Sequence, residues 1–234
     1  MINKLYTYGC SFSSDWWINE EQTYTALVSK QLRCDYIRRA EPAICNNEIY
    51  HRLTKDFELF NEGDFIIYQF TALDRGGYWV NNDSLYITTS LLTEDIDMNT
   101  LVLNEWGVGR EKYEISDSDL IKLLDYNNVW EKHSLFYKYN IVHNTLEFLK
   151  EKYNVNYVML FLDNYFQKFC TNNYIEFPIE TNSKSVSIRD WVVMNNLTIA
   201  DSNPIRPKWD THPNEKAQYH IASKILKFIK NECK

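Results

Sequence analysis

The chain has 234 residues, 44% of them hydrophobic and 15% aromatic, enough for one sizeable core. A formal net charge of −7 argues against nucleic acid as the main partner, because phosphate contacts need concentrated Lys and Arg. The basic stretches, Arg38-Arg39 and the segment from Lys224 to Lys234, are short or mixed with acids and read as solvated surface.

Six glycines and five prolines are too few for disorder, and no Pro/Gly/Ser-rich linker divides the chain, so one domain over 1–234 is expected. Five scattered cysteines (Cys10, Cys34, Cys45, Cys170 and Cys233) form no metal spacing and read as reduced thiols. Met1 to Gly9 runs straight into a strand-like pattern without the apolar stretch of a secretory signal. No apolar run approaches the ~20 residues that span a bilayer. The expectation is a protein without a membrane partner, made in the cytoplasm of a cell or, if virus-encoded, of a host.

In chain order, Lys4 to Tyr8 reads as a first strand ending at Gly9. Glu20 to Arg33 is helix-like, with Tyr24, Leu27, Val28 and Leu32 at three- and four-residue spacing. Asp35 to Arg39 reads as a second strand. Asn46 to Phe60 reads as a helix striped by Ile49, Leu53 and Phe57, with Asn46 or Asn47 as N-cap. Phe65 to Phe70 is a nearly continuous apolar run, the mark of a buried parallel strand.

Leu73 to Tyr113 shows short β-like pieces, such as Ser84 to Leu92, without a clean period. It reads as an insertion, around 73–115, that covers the site. Asp119 to Tyr153 predicts two helices, and Tyr157 to Leu162 another buried strand. Ser187 to Met194 predicts a short helix and Leu197 to Ala200 a last short strand. Asn214 to Ile229 predicts an amphipathic helix, with Ala217, Ile221, Ile225 and Phe228 in one row and Ala222, Leu226 and Ile229 in the next.

Strands alternating with helices imply a three-layer α/β/α sandwich around a parallel sheet of about five strands. Ligands of such sheets sit beyond the carboxyl ends of the strands. The segments to inspect are therefore those after each strand.

The first is Gly9-Cys10-Ser11-Phe12-Ser13. A serine just past a buried strand projects its hydroxyl at the sheet edge, where neighbouring N–H groups can face an oxyanion. Such serines also serve as plain turn residues. A second segment that can carry chemistry is not defined by a strand end: Asp210-Thr211-His212-Pro213-Asn214, just before the last helix. A serine needs a base to take its proton, and His212 suits that task near neutral pH. Asp210 is the candidate acceptor that fixes the imidazole tautomer. A helix-entry turn with Asn214 as N-cap is the plainer alternative.

Together, the two segments resemble the first and last blocks of the SGNH/GDSL hydrolase family, the first usually Gly-Asp-Ser-Leu-Ser, here in a divergent form. The resemblance implies an SGNH, flavodoxin-like fold, Ser11 as nucleophile, His212 as base and Asp210 as acid. The acid stands two residues before the histidine, where many members have three, and Asp201 is a second candidate. The resemblance places Ala43 where an oxyanion-hole glycine is usual, within Glu41-Pro42-Ala43-Ile44-Cys45-Asn46. It finds no third-block asparagine in Gln69-Phe70-Thr71-Ala72-Leu73-Asp74-Arg75. Thr71, Arg75 or Asn46 would stand in for that donor.

The implied activity is hydrolysis of an ester without metal or organic cofactor. The substrate class is an O-acyl group on a carbohydrate or a small lipid-like ester. Two alternatives remain: a scaffold of this kind that binds without turnover, and a metal-dependent phosphoesterase using Asp15, Asp74 and Asp163. Trp16, Trp17 and Trp209 flank the candidate site in sequence, either as ligand-stacking rings or as core.

Overall fold

The computed structural model describes residues 2–15, 17–42, 44–71, 75–80, 83–88, 136–163, 166, 169–170, 172–179, 182–203, 205 and 210–232. The elements in chain order are β1 (Lys4–Gly9), α1 (Tyr24–Leu32), β2 (Asp35–Ala40), α2 (Asn46–Lys55) and β3 (Phe65–Phe70). A hairpin of β4 (Arg75–Val80) and β5 (Asp83–Thr88) follows. Then come α3 (136–153), β6 (Asn156–Phe161), and the short pair β7 (Phe177–Ile179) and β8 (Asn182–Val186). The chain closes with α4 (Ile188–Met194), α5 (Ile199–Ser202) and α6 (Glu215–Glu232).

The central sheet is parallel, in the order β2-β1-β3-β6. It has four strands among the described residues, where about five were expected. The expected strand at Leu197 to Ala200 is instead the cap and first turn of α5. Thr198 accepts from Asp201 N, and the Asp201 carboxylate accepts from Thr198 N in return. This reciprocal capping outweighs the strand preference of Leu-Thr-Ile. The β-like pieces of the insertion resolve into β4 and β5, while 89–135, with most of the first helix expected over Asp119 to Tyr153, lies outside the described residues.

Side-chain alternation on β1 shows how both faces are covered. Thr7 accepts from Thr25 of α1 at 3.1 Å, on one face. On the other, Tyr8 OH donates to Asp56 at 2.8 Å, just past α2. Helices α1 and α6 pack together on the first side, joined by Gln218 and Tyr24. On the second side Tyr50 of α2 meets Thr145 of α3 at 3.1 Å. Successive strand residues point to opposite faces, so a strand covered on both sides has no solvent-facing row. Every residue of β3 is accordingly buried.

Several helix boundaries differ from expectation, beginning with α1, which starts at Tyr24 rather than Glu20 because Thr23 caps it by accepting from Ala26 N. The N-cap of α2 is Cys45, not Asn46 or Asn47, because the Asn46 side chain turns away to Thr71. The helix ends at Lys55 rather than Phe60, where Asp56 turns inward to accept from Tyr8 and Arg39. No helix among the described residues is long and apolar enough to cross a membrane.

Candidate active site

The order β2-β1-β3 means that the chain leaves β1 toward one edge and returns on its other side. The carboxyl ends of β1 and β3 therefore form the topological switch point, where open α/β sheets leave a crevice. Tyr8 is level with Tyr68 across the β1–β3 pairing, so Ser11 and Thr71 lie past the same edge.

Ser11 sits in a tight turn whose Ser13 N donates to Cys10 O at 2.9 Å. Its hydroxyl meets His212 Nε2 at 2.8 Å, across 201 residues of sequence. His212 Nδ1 lies 2.7 Å from Asp210 Oδ1, and the His212 backbone N–H donates to the same oxygen at 3.1 Å. Asp210 is 4% exposed and Ser11 5%. A buried carboxylate on Nδ1 holds that nitrogen protonated, which leaves Nε2 facing Ser11 as the acceptor. The two-residue spacing from Asp210 to His212 is thus compatible with a continuous Asp–His–Ser hydrogen-bond chain.

The histidine segment is fastened from behind. Ile199 N donates to His212 O at 2.7 Å, and Asn214 N to Leu197 O at 2.9 Å. Asn214 Oδ1 accepts from Ala217 N at 3.0 Å and caps α6. Asp201, the second candidate acid, is committed to capping α5 through Thr198. Among the described residues, two aromatic rings flank the imidazole: Phe12 at 5.2 Å and Trp17 at 5.0 Å between centroids. Trp16 and Trp209 lie outside the described residues.

The expected oxyanion donors separate. Ala43 lies outside the described residues, and Arg75 opens strand β4. Asn46 and Thr71 meet each other: Asn46 Nδ2 donates to Thr71 O at 3.1 Å, and Thr71 N donates to Asn46 Oδ1 at 2.9 Å. The Thr71 backbone N–H is therefore occupied. The amide nitrogen of Asn46 carries two hydrogens, of which this pairing uses one.

Polar side chains beneath the turn had no place in the sequence analysis. Ser13 donates to Gln69 Oε1, and Tyr24 OH, hydrogen-bonded to Ser13 Oγ, can only donate to it, since the serine proton is taken. Burial holds the Tyr24 hydroxyl well above its ordinary range, so it stays a neutral donor. Gln69 Nε2 reaches Cys10 Sγ at 3.5 Å. Gln218, on α6, bonds both Phe12 O and Tyr24 N. The available signal was a glutamine at a buried position of an apolar strand or stripe, which only a buried hydrogen-bond partner explains.

Two of the three carboxylates of the metal alternative are engaged elsewhere. Asp15 pairs with Arg38 at 2.8 Å and Asp163 with Arg189 at 3.4 Å, while Asp74 lies outside the described residues. Among the described residues, no group of three His, Cys, Asp or Glu side chains is placed to hold a metal ion.

Fold and site together describe an α/β protein with a Ser–His–Asp hydrogen-bond chain at the switch point of its sheet. No protein-family model and no curated protein sequence matches the chain. Solved structures do align with it at low identity. The psychrotrophic esterase EstA of a Pseudoalteromonas species is 11% identical, over 98% of this chain and 97% of its own, with a TM-score of 0.44. A lipolytic G-D-S-L family protein of Veillonella parvula is 9% identical, over 97% and 98%, at 0.42. An acetyl xylan esterase of Butyrivibrio proteoclasticus is 11% identical, over 99% of this chain and 64% of its own, at 0.44.

Proposed function

We propose that the protein is a serine hydrolase of the SGNH type that cleaves a carboxylic ester through an acyl-serine intermediate. One observation carries the reading: the 2.8 Å contact of Ser11 Oγ with an imidazole whose other nitrogen is held by a buried aspartate. A turn residue needs no such partner, whereas a nucleophilic serine does.

In this reading His212 Nε2 takes the Ser11 proton as Oγ attacks the ester carbonyl. Asp210 steadies the imidazolium. The oxyanion is held by the Ser11 N–H, with the Ala43 N–H and the second Asn46 Nδ2 hydrogen as further donors. Each such donor is worth about 10²–10³ in turnover. The intermediate collapses as His212 returns the proton to the departing alkoxide. Water, deprotonated by the same imidazole, then attacks the acyl-serine carbonyl and releases the acid and Ser11. The substrate class is an O-acyl carbohydrate or a small lipid-like ester, and the chemistry calls for no cofactor.

Hydrolysis of p-nitrophenyl acetate by the wild type, Ser11→Ala and His212→Ala tests it. The expected result is turnover in the wild type and none above background in either variant. Turnover unchanged in Ser11→Ala overturns the reading. A protein that binds such esters without turning them over, with or without Ser11, would be a binding module instead.

A further inference from the structure

Resting on that hydrolase reading, we propose that Gln218 is a positioning residue that holds the nucleophile turn to the helix following the histidine. Gln218 lies on the buried row of α6 with Ile221, Ala222, Ile225 and Ile229, and is 1% exposed. Its neighbours on that row are aliphatic, and a leucine or methionine would fill the space. Burying a primary amide is costly unless both ends are paired.

Both ends are paired here, and with a purpose. Tyr24 N donates to Gln218 Oε1 at 2.8 Å, and Gln218 Nε2 donates to Phe12 O at 3.2 Å. A backbone N–H can only donate and a carbonyl can only accept, so these partners fix the amide's orientation. Phe12 follows Ser11 directly, and its ring faces His212. The same helix begins with the Asn214 cap, two residues past His212. One rigid element thus carries the anchor of the nucleophile turn and the end of the histidine segment.

Tyr24 completes the circuit from the other side. Its backbone N–H binds Gln218 and its hydroxyl binds Ser13, so the two residues that follow Ser11 are both tied to buried groups. Loss of Gln218 frees the Phe12 carbonyl and lets Ser11 drift from Nε2. Displacements near 1 Å cost up to about 10²-fold in rate.

The test is the rate constant for fluorophosphonate labelling of Ser11 in the full chain, for the wild type, Gln218→Met and Gln218→Glu. Unfolded molecules lower the labelled fraction, whereas the rate constant reports the folded ones. Gln218→Met fills the volume without hydrogen bonds and is expected to label about tenfold more slowly. Gln218→Glu keeps the shape and, once protonated, regains a donor for Phe12 O. Its rate relative to the wild type is expected to recover as the pH is lowered through protonation of the buried carboxyl, which burial makes easier. Gln218→Met labelling at the wild-type rate overturns the inference. So does Gln218→Glu remaining, at low pH, as slow as Gln218→Met. A wild type that does not label at Ser11 overturns the hydrolase reading itself, a different outcome.

Discussion

Gly9→Ala is a strict test of how the nucleophile turn is packed. A Cβ at Gly9 would stand 2.8 Å from Gln69 Oε1 and 3.0 Å from Gln69 Cβ, and closer still to Ser13 Oγ. Ser13 and Gln69 are both fully buried. The serine hydroxyl could rotate away, but only by leaving Tyr24 and Gln69. The Gln69 Cβ is part of β3 and has no such freedom. Overpacking a filled interior costs about 1–3 kcal/mol. An orphaned buried polar group costs a further ~1–3 kcal/mol. The sum is roughly 2–6 kcal/mol, which at this chain length corresponds to a fall in Tm of about 4–24 °C. Thermal unfolding followed by circular dichroism reads it directly. A Gly9→Ala protein melting within about one degree of the wild type would refute the packing described beneath Ser11.

Asp210→Asn should leave the fold intact and lower turnover by about 10²–10⁴, because the wrong imidazole tautomer then faces Ser11; steady-state kinetics measures it. Asn46→Ala breaks both bonds to the Thr71 backbone and should destabilise by about 1–3 kcal/mol in a denaturant titration. Alkaline stability should reflect the buried tyrosines. Burial, with Asp64 and Asp56 adding to it, pushes Tyr6 up to about 12, and burial also raises Tyr8 and Tyr68 well above their ordinary value. A folded pKa above the unfolded value of about 10 favours the folded state fully below pH 10, and that stability is lost as pH rises toward 12. Melting temperature should therefore fall over pH 10–12, with the tyrosinate absorbance of the buried rings rising together with unfolding rather than before it.

The central elements were legible because their periodicities are strong. Phe65 to Phe70 reads as buried on both faces and is so. The rows of α6 are apolar where the sequence places them, and Asn214 caps the helix as its position suggested. The segment at Leu197 to Ala200 misled because β-branched residues outweighed a Thr-x-x-Asp capping pattern that was present. Asn46 misled for a related reason. A local cap competes with a partner 25 residues away, and sequence alone does not show that partner. The meeting of residues 11 and 212 was implied by the resemblance of their two segments to the first and last SGNH/GDSL blocks, not by the strand-end rule alone. The glutamines beneath them were not implied, since a buried amide is explained only by what it holds.

Peptide mapping by mass spectrometry after fluorophosphonate treatment tests the central claim most directly. The account predicts one phosphonyl adduct on the peptide containing Ser11, abolished in His212→Ala. An unmodified Ser11 peptide, or an adduct that survives loss of the imidazole, would contradict it.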